Sequence, residues 1–335
     1  MRTLILGGTG LISTAITAQL LARGDEVTHL TRGHTPAAAG VRTVHGDRGD
    51  LDALRGAWGD GHDAVVDMLC FGADDAAVAV RAFGGTGVRY VLCSTVDVYT
   101  KPAAYLPVDE EHERAPQPCF RYAYGKALAE EVLQRVHATG EIDLVTLRPA
   151  ATYLDQAVPS VGSFDLALER LRAGAPIILH GDGTGLWAAC HRDDVAAAFV
   201  AATTATVASG RAYHITGDEL LTWHQYWTAV ADALGVWARF VHIPTDLLFA
   251  CAPRFAEWCY YNFQFDNVFD NSAAARDLGF ACRTRWADGI AAGLVSRPPR
   301  PVDPAERDTY TAVLDAWHRA CRGMSSELSG KDLVR

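Results

Sequence analysis

The chain has 335 residues, enough for one large or two modest domains with buried cores. Its net charge of -10, with no Lys/Arg cluster, argues against a nucleic-acid partner, because affinity for phosphate backbones comes mostly from Lys and Arg. No apolar run reaches the length that spans a bilayer, and the first residues carry no basic leader, so we expect a cytoplasmic protein without a membrane partner. The eight cysteines contain no Cys-x-x-Cys pair, which favours free thiols over a disulfide framework or a metal site.

The first stretch predicts a strand, a glycine turn and a helix. An apolar run of strand length ends at Gly7, and a helical pattern begins at Ala15. A turn without Cβ atoms lets the backbone approach a pyrophosphate, whose charge then lies against a helix N-terminus. The spacing Gly-x-x-Gly-x-x-Ser meets the dinucleotide fingerprint loosely, so an ordinary strand-to-helix turn is the alternative. The residues expected to bind cofactor here are Gly7, Gly8, Thr9, Gly10, Leu11 and Ile12.

Strand and helix patterns then alternate along the chain. The expected strands are 26–31, 42–45, 63–68 and 89–93, and the expected helices are 51–58 and 74–82. Such alternation indicates right-handed βαβ units and a parallel sheet. We therefore predict an α/β fold: a doubly wound parallel Rossmann sheet with a smaller, discontinuous α/β substrate domain. Ligands bind such sheets beyond the carboxyl ends of the strands.

The residues that follow the second to fourth strands bear on the choice of cofactor. No carboxylate is present to bind a ribose 2′-hydroxyl after the second strand, whereas Arg32 is placed to pair with a 2′-phosphate. This favours NADP over NAD, unless Arg32 is merely a solvated turn residue. Asp47 is placed to reach an adenine amino group, although Gly-Asp is also ordinary turn chemistry. Arg48 and Met68 complete the expected cofactor contacts at this edge.

Two further pairs of residues point to hydride chemistry. Ser94 and Thr95 end the strand 89–93 at the same edge, where nicotinamide and substrate are expected to meet. Tyr122 and Lys126 are four residues apart on a predicted helix over 121–136, so they share one face. A nearby ammonium lowers the pKa of a phenol, which can then exchange a proton with a substrate hydroxyl. A Tyr and a Lys at this spacing are common on any helix, and they gain meaning only together with the glycine turn.

In this chain order the features resemble the extended short-chain dehydrogenase/reductases, in particular their NAD-dependent epimerase/dehydratase branch. The resemblance extends from Gly7 to about Leu294 and also rests on Ser94-Thr95-Val96-Asp97-Val98-Tyr99, Leu147-Arg148-Pro149, Gly181-Asp182-Gly183 and His191-Arg192-Asp193-Asp194-Val195. It implies that Thr95 is the catalytic Ser/Thr, Tyr122 the acid/base, and Lys126 the residue that binds ribose and lowers the pKa of the tyrosine. It also implies that the backbone from Pro149 to Ala151 holds the nicotinamide. A homodimer through the helix that carries Tyr122 is a further implication.

Three positions depart from the sugar-nucleotide epimerases of that family. The first is Ser13, which stands in place of the third glycine of the turn and should loosen helix packing only slightly, because Ser is small. Ala151 stands where those enzymes have an Asn on the substrate diphosphate, and Trp187 where they have a diphosphate-binding Arg. The lost charge-assisted bonds are worth roughly 1.5–3 kcal/mol each, so a nucleoside-diphosphate sugar is not assumed. Trp187 offers a stacking face for a substrate ring, although a place in the core is favoured. Arg192 is a candidate to supply the missing cation, and Ser94 and Thr95 are the other candidate substrate contacts.

The patterns also predict how the chain divides. We expect a dinucleotide-binding domain over 1–152, with returning segments at 176–204 and 238–245. The substrate domain is expected over 153–175, 205–237 and 246–296. The stretch 297–335 is expected to hold a Pro-rich linker, a helix over 304–320 and a disordered tail from Met324.

The sequence thus predicts an NAD(P)-dependent epimerase/dehydratase that acts through a transient keto intermediate on a sugar, nucleoside or sugar nucleotide. In this hypothesis Tyr122 acts as base and Thr95 polarises the developing carbonyl. One alternative is an NADPH-dependent reductase or dehydrogenase of a small carbonyl or alcohol. Another is a non-catalytic, RNA-associated relative, which the Thr95/Tyr122/Lys126 set and the acidic charge disfavour.

Overall fold

The computed structural model describes residues 1–329, which form two compact units. Unit 1 contains Met1–Leu154, Ala188–Leu220 and Val268–Gly289. Unit 2 contains Asp155–Trp187, Leu221–Asn267 and the described residues from Ile290 onward. Each unit is therefore assembled from three separate stretches of the chain. Within the described residues, no helix combines the length and the apolarity that crossing a bilayer requires.

Strands and helices alternate through most of unit 1, and further strands and helices form unit 2. The strands are β1 (Arg2–Leu6), β2 (Glu26–Thr31), β3 (Arg42–His45), β4 (Ala64–Asp67), β5 (Arg89–Cys93), β6 (Asp143–Pro149), β7 (Ala151–Tyr153), β8 (Ile177–His180), β9 (Leu186–Trp187), β10 (Ala189–His191), β11 (Ala212–Ile215), β12 (Leu221–Thr222) and β13 (Phe240–Ile243). The helices are α1 (Leu11–Arg23), α2 (Leu51–Trp58), α3 (Ala73–Phe83), α4 (Arg121–Ala138), α5 (Phe164–Arg172), α6 (Arg192–Ala202), α7 (Trp223–Ala233), α8 (Thr245–Cys251), α9 (Pro253–Trp258), α10 (Ser272–Leu278), α11 (Trp286–Ser296) and α12 (Pro304–Leu328). The predicted strands 26–31, 42–45 and 89–93 are confirmed at both ends, and 63–68 corresponds to the slightly shorter β4.

Seven strands of unit 1 form one parallel sheet in the order β11-β6-β5-β4-β1-β2-β3. This confirms the predicted doubly wound Rossmann sheet. Because β1 lies between β2 and β4, the strand order reverses at β1, and the crevice for ligands opens at the carboxyl ends of β1 and β4. The glycine turn follows β1 directly and therefore lies at this crevice.

Both faces of the sheet are covered by helices. Ile5 and Val66 pack on one face in a core that includes residues of α1, α6 and α10. Leu4 and Val65, their neighbours in the chain, pack on the other face with residues of α2, α3 and α4. Successive strand residues point to opposite faces, so strands buried on both sides are continuous apolar runs. This explains why the sequence pattern identified them.

Unit 2 contains two small sheets and an aromatic core. β8 pairs with β13 in parallel, and β9 pairs with β12 antiparallel. Helix α12 is anchored to this unit by Tyr310, whose hydroxyl accepts a hydrogen bond from the backbone N of Ile178 at 2.5 Å. The Pro-rich stretch before α12 is anchored as well, because the buried Arg297 pairs with Asp165 at 2.5 Å.

The boundaries of the units differ from those expected. The segments 176–187 and 238–245 belong to unit 2, because β8 and β13 pair with each other and not with the large sheet. Conversely, 205–220 and 268–289 belong to unit 1, where β11 extends the sheet at β6 and α10 packs beside it. Met324 lies within α12 and not in a disordered tail, and the expected tail beyond 329 lies outside the described residues.

Candidate active site

The turn after β1 requires glycine at two positions. Gly7 has φ +89°, and a Cβ there would lie 2.6 Å from the Leu69 side chain. A Cβ on Gly8 would lie 2.3 Å from the imidazole of His29. Gly10, the N-cap of α1, has an extended backbone and leads into the helix. The turn therefore presents bare backbone, next to the helix N-terminus formed by Leu11 and Ile12, as binding of a pyrophosphate requires.

Ser13, which replaces the third glycine of the fingerprint, closes this turn. Its hydroxyl donates to Gly7 O at 2.8 Å and accepts from Gly10 N at 2.8 Å. Beneath the turn, Thr17 donates to Ser13 O at 2.7 Å, so its oxygen accepts the bond from His29 Nε2 at 2.8 Å. Burial lowers the pKa of His29 to about 4. A neutral histidine thus supports the turn.

The residues expected to contact the adenosine end of the cofactor differ in exposure: two are exposed and one is buried. Arg32 is exposed after β2, and Asp47 is exposed after β3, where its Oδ1 accepts from Gly49 N at 2.8 Å. Arg48 is buried instead: it pairs with Asp67 and donates to the backbone O of Asp75 at 2.5 Å. The Arg48 guanidinium therefore bonds groups inside the protein, whereas the Arg32 side chain is exposed to solvent.

Thr95 and Tyr122 come together at the carboxyl end of β5. Thr95 caps a short 3₁₀ turn, Val96–Val98, and donates from Oγ1 to Asp97 Oδ2 at 2.9 Å. The side chain of Tyr122, near the start of α4, is hydrogen-bonded to Thr95. The two residues lie far apart in the sequence, and the sheet brings them together as expected.

Lys126 lies one turn beyond Tyr122 and is buried. Its Nζ donates to the backbone O of Cys93 at 2.7 Å and lies 4.5 Å from the ring centroid of Phe71. Burial, followed by the charge of Asp97, raises the pKa of Tyr122 well above its usual value of 10. Lys126 is not among the causes of this shift. Its expected effect on the pKa of Tyr122 therefore stays a prediction.

Ser94 belongs to a buried polar network. Its hydroxyl donates to Glu130 Oε1 at 2.5 Å, and Glu130 pairs with Arg148 at 2.7 Å. Arg148 in turn donates to Tyr99 Oη at 2.6 Å. The Ser94 hydroxyl is therefore bonded inside the protein, and its expected contact with substrate stays a prediction.

The sequence interpretation did not single out Glu130 or Asp97, whose carboxylates accept hydrogen bonds from the candidate site residues Ser94 and Thr95. Glu130 is four residues beyond Lys126, and Tyr122, Lys126 and Glu130 therefore follow one another along the same face of α4. Asp97 lies inside the quoted motif around Thr95, and its side chain is nearly buried. In both cases a carboxylate at helical or turn spacing from a candidate residue was the available signal.

The segment expected near the nicotinamide lies beside the sheet. Pro149 is buried at the end of β6, and Ala151 is half-buried in β7, where it pairs with Ala189 of β10. Met68, half-buried after β4, donates from its backbone N to Leu6 O at 3.1 Å. Arg192 begins α6 in unit 1, with Nε 3.4 Å from Asp193 Oδ1.

Trp187 lies in unit 2, buried in an aromatic cluster. Its ring stacks on Trp223 with centroids 4.9 Å apart, and Phe263 meets it edge-on at 5.0 Å. The structure thus agrees with the favoured alternative of a core residue. Its indole Nε1–H is buried and has no acceptor among residues 1–329.

Comparisons with known proteins agree with this architecture. Residues 72–216 match the family model described as the NAD dependent epimerase/dehydratase family. The chain is 32% identical to the 2′-dehydrokanamycin reductase of Streptomyces kanamyceticus, over 81% of this chain and 77% of that protein. It is 31% identical to the 2-alkyl-3-oxoalkanoate reductase of Stenotrophomonas maltophilia, over 70% and 76%. A UDP-glucose 4-epimerase structure from Thermotoga maritima shares the fold, with TM-score 0.72 and 17% identity over 88% and 98% of the chains.

Proposed function

Because this chain belongs to the NAD-dependent epimerase/dehydratase family and is an NAD(P)-dependent enzyme, we propose that Thr95, Tyr122 and Lys126 form its active site. The substrate is a polar small molecule with a secondary alcohol or ketone. The observation that carries the proposal is the hydrogen bond between Tyr122 and Thr95 at the carboxyl end of β5, one helical turn from Lys126. The crevice of a doubly wound sheet opens at that edge.

The residues at this edge fit a dinucleotide. The Cβ-free turn at Gly7 and Gly8, with Thr9 and Gly10, would receive the pyrophosphate at the N-terminus of α1, and Lys126 would reach the ribose. Asp47 and Met68 would line the adenosine side, and Pro149 and Ala151 the nicotinamide. When bound, the nicotinamide donates or accepts a hydride at the substrate carbon. We propose NADP over NAD, since the exposed Arg32 can pair with a 2′-phosphate.

The first form of the reaction is epimerisation or dehydration through a transient ketone. Tyr122 exchanges the proton of the substrate hydroxyl, and Lys126 holds the ribose side of the site. Arg192 is a proposed substrate contact, in place of one of the diphosphate-binding groups that this chain lacks. A sugar or nucleoside without a diphosphate fits the loss of those groups better than a sugar nucleotide.

A second form, net reduction of a ketone, is favoured by the comparisons, since two relatives that share 31–32% identity with the chain are reductases by name. In this form Tyr122 donates its proton to the carbonyl oxygen as the hydride arrives at the carbonyl carbon.

The two forms differ in what happens to the cofactor. Purified protein would be incubated with 2′-dehydrokanamycin or a 2-alkyl-3-oxoalkanoate in the presence of NADPH or NADH. It would also be incubated with UDP-glucose in the presence of NADP+ or NAD+, which can accept the hydride of the sugar. A reductase consumes reduced cofactor in proportion to product, whereas an epimerase recycles it and shows no net change in its absorbance. Hydride transfer from neither reduced cofactor to the two ketones, together with no conversion of the sugar, would contradict the proposal.

We further propose a cytoplasmic homodimer that contacts through α4 and binds no nucleic acid. The exposed Tyr124 on α4 supports the dimer contact, and the net charge of -10 supports the absence of a nucleic-acid partner. Light scattering would test the dimer, with Tyr124→Glu as the variant expected to dissociate it. A salt-dependent RNA shift would contradict the last point.

A further inference from the structure

The donor position and both acceptor positions of the Thr95 hydroxyl are occupied by other groups of the protein. It donates its single proton to Asp97 Oδ2 at 2.9 Å. Its oxygen accepts from the backbone N of Asp97 at 3.2 Å and also bonds the side chain of Tyr122. A threonine hydroxyl offers one donor and two acceptor sites, so Tyr122 must be the donor in their shared bond. To donate to a substrate, Thr95 would first have to break its bond with the carboxylate.

We propose that Asp97 is a positioning residue: by holding the proton of Thr95, it makes Thr95 the acceptor that orients the Tyr122 hydroxyl. Tyr122 is then the one of the two hydroxyls that donates to the substrate oxygen. This inference rests on the proposed function and deepens it. It replaces the expectation that Thr95 polarises the carbonyl, because a charge-assisted bond to a buried carboxylate is stronger than one to a neutral carbonyl.

Burial and charge hold Asp97 in this role. Its side chain is only 9% exposed, and Nζ of Lys101 lies 3.9 Å from its other oxygen. A buried carboxylate is costly unless it is paired and hydrogen-bonded, and here Lys101 and Thr95 meet both needs. Burial lowers the pKa of Lys101 to about 8, although the charge of Asp97 opposes this. The pair therefore retains its cation at neutral pH.

The groups around the Tyr122 phenol act in a defined order. Burial raises its pKa most, and the charges of Asp97 and Cys93 raise it further. A hydrogen bond donated by Thr95 would lower this pKa, but in the folded protein the Thr95 proton is donated to Asp97. Lys126, one turn away, donates to the backbone O of Cys93. Removing the charge of Asp97 should thus lower the pKa of Tyr122, and freeing the Thr95 proton to donate to the phenolate should lower it again.

The test follows the ionisation of Tyr122 and needs no substrate. Protein labelled with 3-fluorotyrosine, whose phenol is more acidic than tyrosine, is titrated by fluorine NMR, and the Tyr122 signal is assigned with Tyr122→Phe. We expect the pKa of this signal to fall in Asp97→Asn, which lacks the charge, and to fall further in Asp97→Ala, which also frees the Thr95 proton. Lys101→Gln, which leaves Asp97 unbalanced, should move it upward.

Glu113→Gln is the matched control, since it removes one carboxylate that bonds Thr100 and does not face Tyr122. Thermal unfolding identifies any variant that fails to fold, and Asp97→Asn, nearly equal in shape, keeps the test available if Asp97→Ala does not fold. The proposal is overturned if the pKa of the Tyr122 signal in Asp97→Asn equals that in the control. It is also overturned if this pKa is the same in a folded Asp97→Ala as in Asp97→Asn. Absence of hydride transfer to the probes would instead remove the proposed function and leave this titration readable.

Discussion

Tyr122 and Tyr124 are two residues apart on α4 and differ in surroundings. Tyr122 is half-buried and bonded to Thr95, whereas Tyr124 is 38% exposed. We expect Tyr122→Phe to lower kcat by at least about a hundredfold, the typical contribution of a positioned acid or base, while the Kd for cofactor stays unchanged. Tyr124→Phe should keep the wild-type rate. Steady-state kinetics and cofactor titration measure both, and normal turnover in Tyr122→Phe would contradict the assignment.

Arg32 offers a test of cofactor preference. If its guanidinium pairs with a 2′-phosphate, Arg32→Glu should weaken binding of NADP by about tenfold or more, since a charged hydrogen bond is worth roughly 1.5–3 kcal/mol. Binding of NAD should change little. Arg42→Glu makes the same charge change at the exposed start of β3, at the opposite end of the sheet from the ligand crevice, and should affect neither Kd. Calorimetric titration with both nucleotides is the measurement, and equal losses for both would count against a phosphate contact.

At the scale of elements, a buried ion pair joins α4 to the sheet. Glu130 on α4 bonds Ser94 after β5 and Arg148 on β6, and both charged side chains are at most 1% exposed. The pair therefore joins a helix to the ends of two strands. Tyr122 and Lys126 lie on the same helix, only a few residues before Glu130. The contacts of Glu130 therefore also help to fix where these two side chains lie relative to the carboxyl ends of the strands.

We expect Glu130→Gln to lower the free energy of unfolding by about 3–5 kcal/mol, because it leaves Arg148 charged and unpaired in the interior. Glu131→Gln makes the same chemical change at the next, exposed position and should lie within about 0.5 kcal/mol of wild type. Urea unfolding followed by circular dichroism separates them. A Glu130→Gln variant as stable as Glu131→Gln would show that the network is not what anchors α4.

The sequence pattern predicted the elements of unit 1 better than its polar contacts. β2, β3 and β5 were located to the residue. β2 and β5 are mostly buried runs that contain β-branched and large apolar residues, and the half-exposed β3 contains Thr and Val, which also favour strands. The side of the sheet on which a polar residue lies is not visible in such a run. Ser94 and Arg48 were therefore predicted to contact substrate and cofactor, although the side chain of each bonds a buried carboxylate, that of Glu130 and that of Asp67 respectively. The pairing of β8 with β13 was missed for a related reason, since it joins residues far apart in the chain.

At the scale of the molecule, three buried histidines give stability a pH dependence. Burial lowers the pKa values of His29, His180 and His214 from 6.5 to about 4. Each is neutral in the folded chain, so between pH 6.5 and 4 the unfolded chain binds protons that the folded chain does not. Stability should therefore fall on acidification, by about 1.4 kcal/mol per pH unit for each histidine.

The midpoint of urea unfolding, measured from pH 7.5 to 5, tests this prediction. His214→Asn should reduce the slope, whereas substitution of the exposed His45 by Gln should leave it unchanged. A urea midpoint that does not vary over this range would show that the three histidines bind protons equally well in the folded and the unfolded chain.

The division of unit 1 into three stretches has a consequence for the order in which the protein is made. The sheet lacks β11 until residue 215 has been synthesised, and one of its faces lacks α6 until residue 202 and α10 until residue 278. A nascent chain that ends near Leu154 exposes the edge of β6 and the apolar face meant for α6. The nucleotide-binding half, though it begins at the first residue, is thus completed late on the ribosome, and an isolated 1–154 fragment should aggregate.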